Sequence, residues 1–291
     1  MRMPKFEYHA PETLDAALQL LAEKGAGAHL LAGGTDLVVK MNHGMLKPKA
    51  VIDLKGIPDL NTIEVDPQKG LTIGATALLA EVAAHPDILR DYPAVAYAAN
   101  KTANVQIRNM GTVAGNLCNA APSADNAPTL VAMGGEAVLV GPKGERRFPL
   151  DQFFKGPGQT AMEPGEIMTA IHVPTPPPGA GISYQHISAR GKVDISAVCV
   201  GVMVTMDGNV CREAAIVLGA VAPIPLRARK AEGVLRGKEW SAELAREAAA
   251  AAEAEARPIT DVRASAEYRK QMVAVLTRRA LEEARARAAK R

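Results

Sequence analysis

Cysteine and aromatic residues are scarce in this sequence. Its 291 residues contain three cysteines, and aromatic side chains make up 3% of the total. Cys118, Cys199 and Cys211 are widely spaced and odd in number, so they form neither a disulfide framework nor a CxxC-type zinc or iron–sulfur site. We therefore expect no metal site on this chain, and an aliphatic core in which each cysteine packs as a small hydrophobic residue.

The chain also lacks a strong charge imbalance and a long apolar run. Its net charge of +3 is too small and too evenly spread to indicate a nucleic-acid partner. No uncharged run reaches the roughly 18 apolar residues of a membrane span, and the N-terminal residues show no signal-peptide pattern. We therefore expect no nucleic-acid partner, no membrane insertion and a cytoplasmic location.

The first part of the chain has the pattern of a small βαβ unit. The hydrophobic spacing predicts a strand at Phe6–His9, a helix over Thr13–Lys24 and a strand at His29–Ala32. A second apolar run, Ala50–Asp53, is placed to pair with that last strand. Turn-forming residues then close a unit of roughly 55 residues.

From Asn61 the pattern changes to short strands mixed with helices, which predicts an α+β unit. A long loop rich in glycine, alanine and asparagine interrupts it. The predicted strands are Thr62–Val65, Leu71–Gly74, the hairpin Ala137–Phe148 and Glu166–Val173. The predicted helices are Leu78–His85, Pro93–Ala103 and Ala127–Met133.

The clearest linker is Pro174–Gly181, because prolines cannot donate to a sheet and glycines bend easily. We place the main boundary there, which gives domains of residues 1–175 and 176–291. Beyond it, Ala197–Met206 and Val210–Leu218 flank a hairpin turn, and two helices follow, so we expect a second α+β domain. Those helices are predicted over Ser241–Ala256 and Ser265–Ala288.

A glycine pair follows the strand predicted at His29–Ala32. Gly33 and Gly34 lack a Cβ, so the backbone can turn sharply and aim N–H groups at an anion such as a pyrophosphate, and Thr35 adds a hydroxyl. A plain tight turn explains the same residues. The spacing is not GxGxxG, so it lends no support to a Rossmann-type fold.

A second segment of small and polar residues covers 108–125. It is too long for an economical connection, and long loops in compact domains are usually functional. Its small residues let a flat ligand approach the backbone, while Thr112, Asn116, Ser123 and Asp125 offer donors and acceptors. From the residues alone, a ligand-binding loop and an irregular structural loop remain equally open.

The pairing of LLAGGTDLVVKMN with IRNMGTVAGNLCNAAPSADNAPTLVAMGGEAVL resembles the FAD-binding subunit of the xanthine dehydrogenase and carbon monoxide dehydrogenase family of molybdenum hydroxylases. The likeness runs nearly end to end, including Phe6–Leu18 and the segment YQHISARGKVDIS. It implies an FAD-binding domain of the vanillyl-alcohol-oxidase or PCMH type over residues 1–175, with FAD between subdomains of about 1–55 and 56–175. A flavoprotein C-terminal domain would follow over 176–291.

The resemblance also implies which residues hold FAD. Thr112, Gly115 and Asn116 form one wall of the cofactor site. Asp125 hydrogen-bonds the ribityl or adenosine portion, and the backbone of Met168 meets the isoalloxazine edge. The residues that would surround the pyrophosphate are Ala32, Gly33, Gly34, Thr35 and Asp36. No residue is assigned a catalytic role, because the flavin performs the redox step.

Two positions depart from the family pattern. His186 follows Tyr184 where relatives often carry a lysine, so a titratable histidine replaces a fixed positive charge near the flavin. Ile195 follows Asp194 where some relatives have an aromatic residue that covers the ring. A histidine at a strand edge and a core-packing isoleucine are the alternative interpretations.

Charged residues near the C-terminal half admit two interpretations each. Arg190 and Lys192 either help to hold the diphosphate or a nicotinamide substrate, or form a solvated turn. The stretch Arg278–Arg291 is either the basic outer face of a helix or an interface with partner subunits.

The resemblance implies an electron-transfer subunit rather than a complete enzyme. Partner subunits would be a small one with [2Fe-2S] clusters and a large one with the molybdopterin cofactor, in a dimer of heterotrimers. FAD on this chain would pass electrons from the clusters to NAD(P), a quinone, oxygen or another acceptor. The alternatives are a stand-alone PCMH-type flavin oxidoreductase and a flavin-free scaffold subunit.

Overall fold

The first unit is a three-stranded parallel sheet followed by a short helix. The computed structural model describes residues 3–191 and 194–290. Strands β1 (Glu7–His9), β2 (Ala28–Leu31) and β3 (Ala50–Asp53) lie in the order β1-β3-β2, and both pairings are parallel. Helix α1 (Leu14–Lys24) connects β1 to β2, and α2 (Leu37–Asn42) follows β2. The predicted pairing of Ala50–Asp53 with the preceding strand is confirmed.

The sequence explains both ends and the buried face of α1. The Thr13 Oγ1 accepts a hydrogen bond from the Ala16 backbone N–H at 3.2 Å, which caps the first turn. Gly25, with φ at 57°, ends the helix. Ala17 is fully buried and shares a small core with Ile52 and other aliphatic residues. Burial of this apolar face holds the helix on the sheet.

The middle unit has a five-stranded antiparallel sheet in the order β4-β5-β10-β6-β7. Between β7 and β10 the chain forms a minor two-stranded sheet, β8-β9. The strands are β4 (Ile63–Asp66), β5 (Gly70–Gly74), β6 (Glu136–Gly141), β7 (Gly144–Pro149), β8 (Phe154–Gly156), β9 (Gln159–Thr160) and β10 (Ile167–Val173). The predicted hairpin and the strand ending at Val173 are confirmed.

The middle unit also contains short helices, most of which bury apolar side chains. They are α3 (Leu79–Ala84), α4 (Pro86–Asp91), α5 (Pro93–Lys101), α6 (Val105–Arg108), α7 (Val113–Cys118), α8 (Asn126–Ala132) and α9 (Leu150–Phe153). The prediction of one long loop after α5 is wrong, because α6 and α7 lie within it. Asn104 and Thr112 cap them through side-chain oxygens at 2.8 and 2.9 Å, so residues read as loop formers begin helices instead.

The predicted linker ends too late. Strand β11 begins at Ala180, so Gly181 belongs to the sheet rather than to a flexible connection. A Cβ built on Gly181 would lie 1.8 Å from the Ala284 backbone oxygen. The glycine therefore permits a close approach of strand and helix, a use that sequence alone does not distinguish from flexibility.

The C-terminal unit is an antiparallel sheet with helices on one face. Its main path is β11-β12-β13-β14, with β15 paired to β13. The elements are β11 (Ala180–Ile187), β12 (Val198–Asp207), β13 (Val210–Gly219), β14 (Leu226–Arg227), α10 (Arg229–Leu235), β15 (Lys238–Glu239), α11 (Ala242–Glu255) and α12 (Ala266–Ala288). Its core consists of valine, alanine, leucine and isoleucine with one cysteine, which confirms an aliphatic interior here.

The helix α8 of the middle unit lies on the other side of this sheet, against β12 and β13. A Cβ on Gly201 would lie 2.5 Å from the Pro128 carbonyl carbon, so helix and strand are in direct backbone contact.

Within the described ranges no helix is both long and apolar enough to cross a membrane, and no group of three or more His, Cys, Asp or Glu side chains is arranged to bind a metal.

Candidate functional site

A cleft of about 1140 Å³ opens where the three units meet. The β2–α2 connection forms one side, the α5–α8 region another, and residues near 190 and 262 reach it from the C-terminal unit. Ten of the eleven residues predicted to hold a cofactor line this cleft; they are Ala32, Gly33, Gly34, Thr35, Asp36, Thr112, Gly115, Asn116, Asp125 and Met168. Segments distant in sequence therefore share one concave site.

One wall is the loop of residues 32–36, between the end of β2 and the start of α2. Gly34 has a φ of 73°, a conformation that favours glycine. The backbone N–H groups of Gly34, Thr35 and Asp36 donate to no acceptor among the residues that the structure describes. Unpaired N–H groups at such a turn attract an anion. Asp36 is exposed, and its carboxylate would repel an anion, so its N–H is the group that suits such a contact.

Gly33 joins the two walls of the cleft. A Cβ built on it would lie 2.3 Å from the Met110 carbonyl oxygen and 2.6 Å from the Gly111 Cα. The Gly111 carbonyl in turn accepts a hydrogen bond from the Leu79 N–H at 2.9 Å, which fixes the second wall against α3. The absence of a side chain at Gly33 thus sets the separation of the walls, a reason that the sequence did not reveal.

The second wall, residues 111–125, is organised by side-chain hydrogen bonds. The Thr112 hydroxyl accepts from the Gly115 N–H at 2.9 Å and so caps α7. The Asn116 Oδ1 accepts from the Asn126 amide at 3.1 Å. Lys40, on α2 of the first wall, donates to Asn119 Oδ1 at 2.7 Å. This last contact ties the second wall to the first across the cleft.

Asp125 is the most buried acidic group of the cleft, with 6% of its surface exposed. Its Oδ1 accepts hydrogen bonds from the Tyr184 hydroxyl at 2.7 Å and from the Ser196 hydroxyl at 2.6 Å. Burial raises the pKa of this carboxyl to about 6, although both hydroxyl hydrogen bonds act to lower it. The carboxyl is therefore mostly ionised at neutral pH and close to its midpoint in mild acid.

Sulfur atoms form an apolar part of the lining. Met168, on β10, is 3% exposed, and its Sδ lies 3.8 Å from the Cys118 Sγ. Met162 approaches the same thiol at 3.8 Å. Burial raises the pKa of Cys118 to about 12, so the thiol stays neutral. Polarisable sulfur suits contact with a flat aromatic ring, and no pattern in the sequence marks Cys118 or Met162 for this role.

His186 is the predicted residue that the structure does not bring to the cleft. Its ring stacks on Tyr184, with centroids 5.9 Å apart and an interplanar angle of 13°. Burial, with the nearby Lys101 charge, lowers the pKa of His186. The side chain is therefore neutral near pH 7 and provides no fixed positive charge. A direct role beside a flavin stays a prediction for this histidine.

The C-terminal unit supplies the mouth of the cleft. Ile195 lines it with 45% of its surface exposed, so it is not a core residue. Arg190 also lines it and donates to Asp194 at 3.2 Å. Lys192, predicted to act with Arg190, lies outside the described residues, as does Arg291 at the end of the predicted basic stretch. Val262, which is 98% exposed, also reaches the cleft, and no sequence signal marks it.

A further edge of the cleft comes from residues 102–107, where the sequence predicts the end of a helix and the start of a loop. The helix α5 stops at Lys101, and Ala103 has a φ of 50°, which a helix does not accommodate. Asn104 then caps α6. Recognising Asn104 as a helix cap is the signal that would have found this edge.

Two families match the chain. The FAD binding domain in molybdopterin dehydrogenase covers residues 4–176, and the CO dehydrogenase flavoprotein C-terminal domain covers residues 183–284. The carbon monoxide dehydrogenase medium chain of Hydrogenophaga pseudoflava is 35% identical over 98% of this chain and 99% of its own. The putative xanthine dehydrogenase FAD-binding subunit of Escherichia coli K12 is 30% identical over 95% of each.

Solved structures show the same fold. Carbon monoxide dehydrogenase from Hydrogenophaga pseudoflava lacking the Mo-pyranopterin moiety of its cofactor has a chain that superposes with a TM-score of 0.94 at 35% identity, over 99% of both chains. Quinoline 2-oxidoreductase from Pseudomonas putida 86 has one with a TM-score of 0.92 at 27% identity, over 99% of both. The likeness therefore spans both halves of the molecule.

Proposed function

This chain belongs to the family of FAD-binding subunits of molybdenum hydroxylases, and from that premise we propose that its FAD takes electrons from [2Fe-2S] clusters on a partner subunit and passes them to a separate acceptor. The chain is an oxidoreductase component, not a complete hydroxylase. When bound, FAD supplies the capacity to accept and release electrons, and the protein supplies binding and orientation.

The pyrophosphate of FAD would lie against the 32–36 loop. The unpaired N–H groups of Gly34, Thr35 and Asp36 fit its negative charge, and the first turn of α2 adds the positive end of a helix dipole. Ala32 and Gly33 would line the same part of the cofactor. We regard this donor set as the observation that carries the proposal, because a merely structural turn has no need of three N–H groups open to one cleft.

The second wall would hold the remaining parts of FAD. Thr112, Gly115 and Asn116 offer a surface of small residues and polar atoms. Asp125 would accept a hydrogen bond from a hydroxyl of the ribityl or adenosine portion, because its Oδ2 has no partner among the described residues. The polarisable lining at Met168 fits contact with the isoalloxazine ring. The role of each residue is part of the proposal.

The wider assembly is proposed on the same basis. The relatives include medium chains of carbon monoxide dehydrogenase, which are parts of multi-subunit enzymes. We propose an iron–sulfur small subunit, a molybdopterin large subunit and a dimer of heterotrimers, with NAD(P), a quinone or oxygen as acceptor. Residues 1–175 would form the FAD-binding domain and 176–291 the C-terminal domain. The cytoplasmic location stays a prediction.

Purification of the chain with and without its partner subunits tests this proposal. We expect FAD in both preparations, and iron and molybdenum only in the complex. Removal of FAD from the complex should abolish reduction of the external acceptor while the iron and molybdenum contents stay unchanged. Iron or molybdenum retained by the isolated chain, or acceptor reduction that survives loss of FAD, would contradict the proposed electron route.

A further inference from the structure

Asp125 occupies the N-cap position of a helix, but its side chain does not cap that helix. It immediately precedes α8, yet its side chain makes no capping hydrogen bond. The third helical residue is Pro128, which has no N–H to donate, and the Ala127 N–H already bonds the Ala124 carbonyl at 3.3 Å. The local sequence therefore leaves this carboxylate without its usual partner and available for other contacts.

Two hydroxyl groups from the C-terminal half occupy one oxygen of this carboxylate. Tyr184 lies on β11 and is 1% exposed, and Ser196 lies just before β12 and is 2% exposed. Both donate to Oδ1, at 2.7 and 2.6 Å. Oδ2 accepts from no described residue, and it is not among their fully enclosed polar atoms that lack a partner. It is therefore the oxygen that remains open in a residue lining the cleft.

The position of the two hydroxyls is fixed by close packing. Tyr184 pairs with Gly201 across β11 and β12, and Gly201 lies directly against the Pro128 backbone of α8. The Ala220 N–H, just beyond β13, donates to the Pro122 carbonyl at 2.7 Å. The sheet therefore contacts the polypeptide on both sides of Asp125. These contacts fix Tyr184. Ser196 is held through its neighbour Ala197, whose N–H donates to the Ile187 carbonyl at 2.8 Å and whose carbonyl accepts from Arg269 at 2.9 Å.

The titratable groups around the carboxyl are neutral near pH 7. Burial raises the pKa values of Tyr184 and Cys199, and burial with the Lys101 charge lowers that of His186, which stacks on Tyr184. Among described residues Asp125 forms no salt bridge. His29 and Cys118 also line the cleft; burial lowers the pKa of His29 and raises that of Cys118, so both are neutral near pH 7. The charged side chains that line the cleft are Asp36, Lys40, Arg190, Asp194 and Arg263.

We propose that Tyr184 and Ser196 are positioning residues that hold the Asp125 carboxylate with Oδ2 facing the cleft, where it accepts a hydrogen bond from an FAD hydroxyl. The C-terminal half thereby sets how tightly the FAD-binding half retains its cofactor. This inference rests on the proposed binding of FAD in the cleft. It adds a role for two residues that do not themselves reach the cofactor.

The inference makes binding depend on pH in a defined direction. The ionised carboxylate accepts a hydrogen bond from the FAD hydroxyl. The affinity for FAD should therefore increase as pH rises through the pKa of Asp125, which is about 6. Each hydroxyl acts to lower that pKa, Ser196 more than Tyr184. Removing either hydroxyl should therefore raise the pKa and move the binding transition to higher pH. A change in packing alone shifts affinity equally at all pH values.

The test is a titration of the full-length, FAD-free chain with FAD, followed by flavin fluorescence between about pH 5 and 8. We expect Tyr184→Phe and Ser196→Ala to weaken FAD binding about fivefold at pH 7, the size of one lost hydrogen bond, and to shift the transition upward. Asp125→Asn should abolish the transition. Tyr97→Phe, whose ring only touches the edge of Tyr184, and Ser183→Ala, whose hydroxyl bonds Glu283, should match the wild type.

The outcomes separate this inference from the proposed function. Wild-type chain that binds no FAD at any pH overturns the proposed function and the inference with it. Wild-type chain that binds FAD, with folded Tyr184→Phe and Ser196→Ala variants that keep the same affinity and the same transition, overturns the inference alone. A uniform loss of affinity without a shift of the transition also overturns it, because that result indicates a purely structural role.

Discussion

The two walls of the cleft are built on different principles. The 32–36 loop presents backbone N–H groups at a strand–turn–helix junction, and its geometry depends on local residues such as Gly34. The 111–125 segment presents side chains. Thr112 caps its own helix, whereas Asn116, Asn119 and Asp125 are bonded by residues outside the segment. Asp125, for example, is bonded by residues 59 and 71 positions further along. The first wall therefore depends mainly on local backbone geometry, and the second mainly on tertiary contacts.

This difference predicts how substitutions in each wall should weaken FAD binding. A change in the 32–36 loop should act through space and backbone geometry, with little dependence on pH. A change in the 111–125 segment should act through hydrogen bonds and ionisation, and it should be sensitive to residues of the C-terminal half. A pH-dependent effect from the 32–36 loop, or a pH-independent effect from the Asp125 hydrogen bonds, would contradict this distinction between the walls.

The largest effect is expected for Gly33→Val. A side chain here meets the backbone of Met110 and Gly111 at distances far below contact, so the walls must separate. We expect FAD affinity to fall by more than about 100-fold, equal to about 2.8 kcal/mol. Equilibrium dialysis against FAD measures this loss.

Gly233→Val is the matched control for that substitution. Gly233 lies in α10 with an ordinary backbone conformation, and a Cβ there meets no atom within 4 Å. Its FAD affinity should equal that of the wild type. Full flavin content in a folded Gly33→Val variant would contradict the assignment of the first wall.

The second prediction concerns the pH dependence of stability at Asp125. Its pKa is raised from 3.8 to about 6, so its contribution to the stability of the FAD-free chain is complete below pH 3.8 and is lost as pH rises to about 6. Asp125→Asn removes this loss. The variant should gain up to about 3 kcal/mol relative to the wild type between these limits. Urea unfolding at several pH values measures the difference.

The quantity to compare is the difference in free energy of unfolding between the wild type and Asp125→Asn. The pKa values of His29, His172 and His186 are lowered. Their contribution to the stability of the fold is therefore lost as pH falls below 6.5, which is opposite in direction to the effect of Asp125. Both proteins share those histidines, and their contribution cancels in the comparison. A difference that does not vary with pH would show that Asp125 does not titrate as described.

A smaller effect is expected for Thr112→Ala. Loss of the hydroxyl that caps α7 should lower the free energy of unfolding by about 1 kcal/mol and weaken FAD binding severalfold. Ser241→Ala removes an equivalent cap from α11, far along the chain, at 3.0 Å from the Leu244 N–H. It should lower stability by a similar amount and leave FAD binding unchanged. Equal FAD affinities in the two variants would remove Thr112 from the site.

The smallest effect is expected for Gly233→Ala, which should stabilise the protein where Thr112→Ala destabilises it. Alanine in the open helical position should raise the free energy of unfolding by about 0.5–1 kcal/mol. FAD affinity should not change, because α10 packs in the C-terminal unit away from both walls. A thermal melt with and without FAD checks both statements. An altered affinity would show that the cleft responds to stability in general.

The sequence alone predicted the longer helices, most of the longer strands and the glycine turn of the first wall, but several elements, among them α2, α4 and β11, were not predicted. Strand β3 was placed at its observed limits, and the paired glycines marked the 32–36 loop because their signal is local. The same local rules misread residues 104–125 as loop, since small residues and asparagine serve both loops and helix caps. Gly181 was misread for the related reason that a glycine needed for close packing looks like one needed for bending.

The remaining features of the site depend on contacts that no local pattern encodes. The hydrogen bonds of Tyr184 and Ser196 to Asp125, and the approach of Val262 to the cleft, join distant parts of the chain. Resemblance to a family assigned Asp125 to the cofactor, but it did not identify the groups that orient it. His186 was assigned from its place in a motif, and only the fold placed it against Tyr184.

The most direct test of the account is the FAD content of the purified full-length chain, measured by absorbance after release of the flavin and compared with protein concentration. The account predicts one FAD for each polypeptide, retained through gel filtration. A colourless chain that also fails to bind added FAD, while remaining folded by circular dichroism, would contradict it.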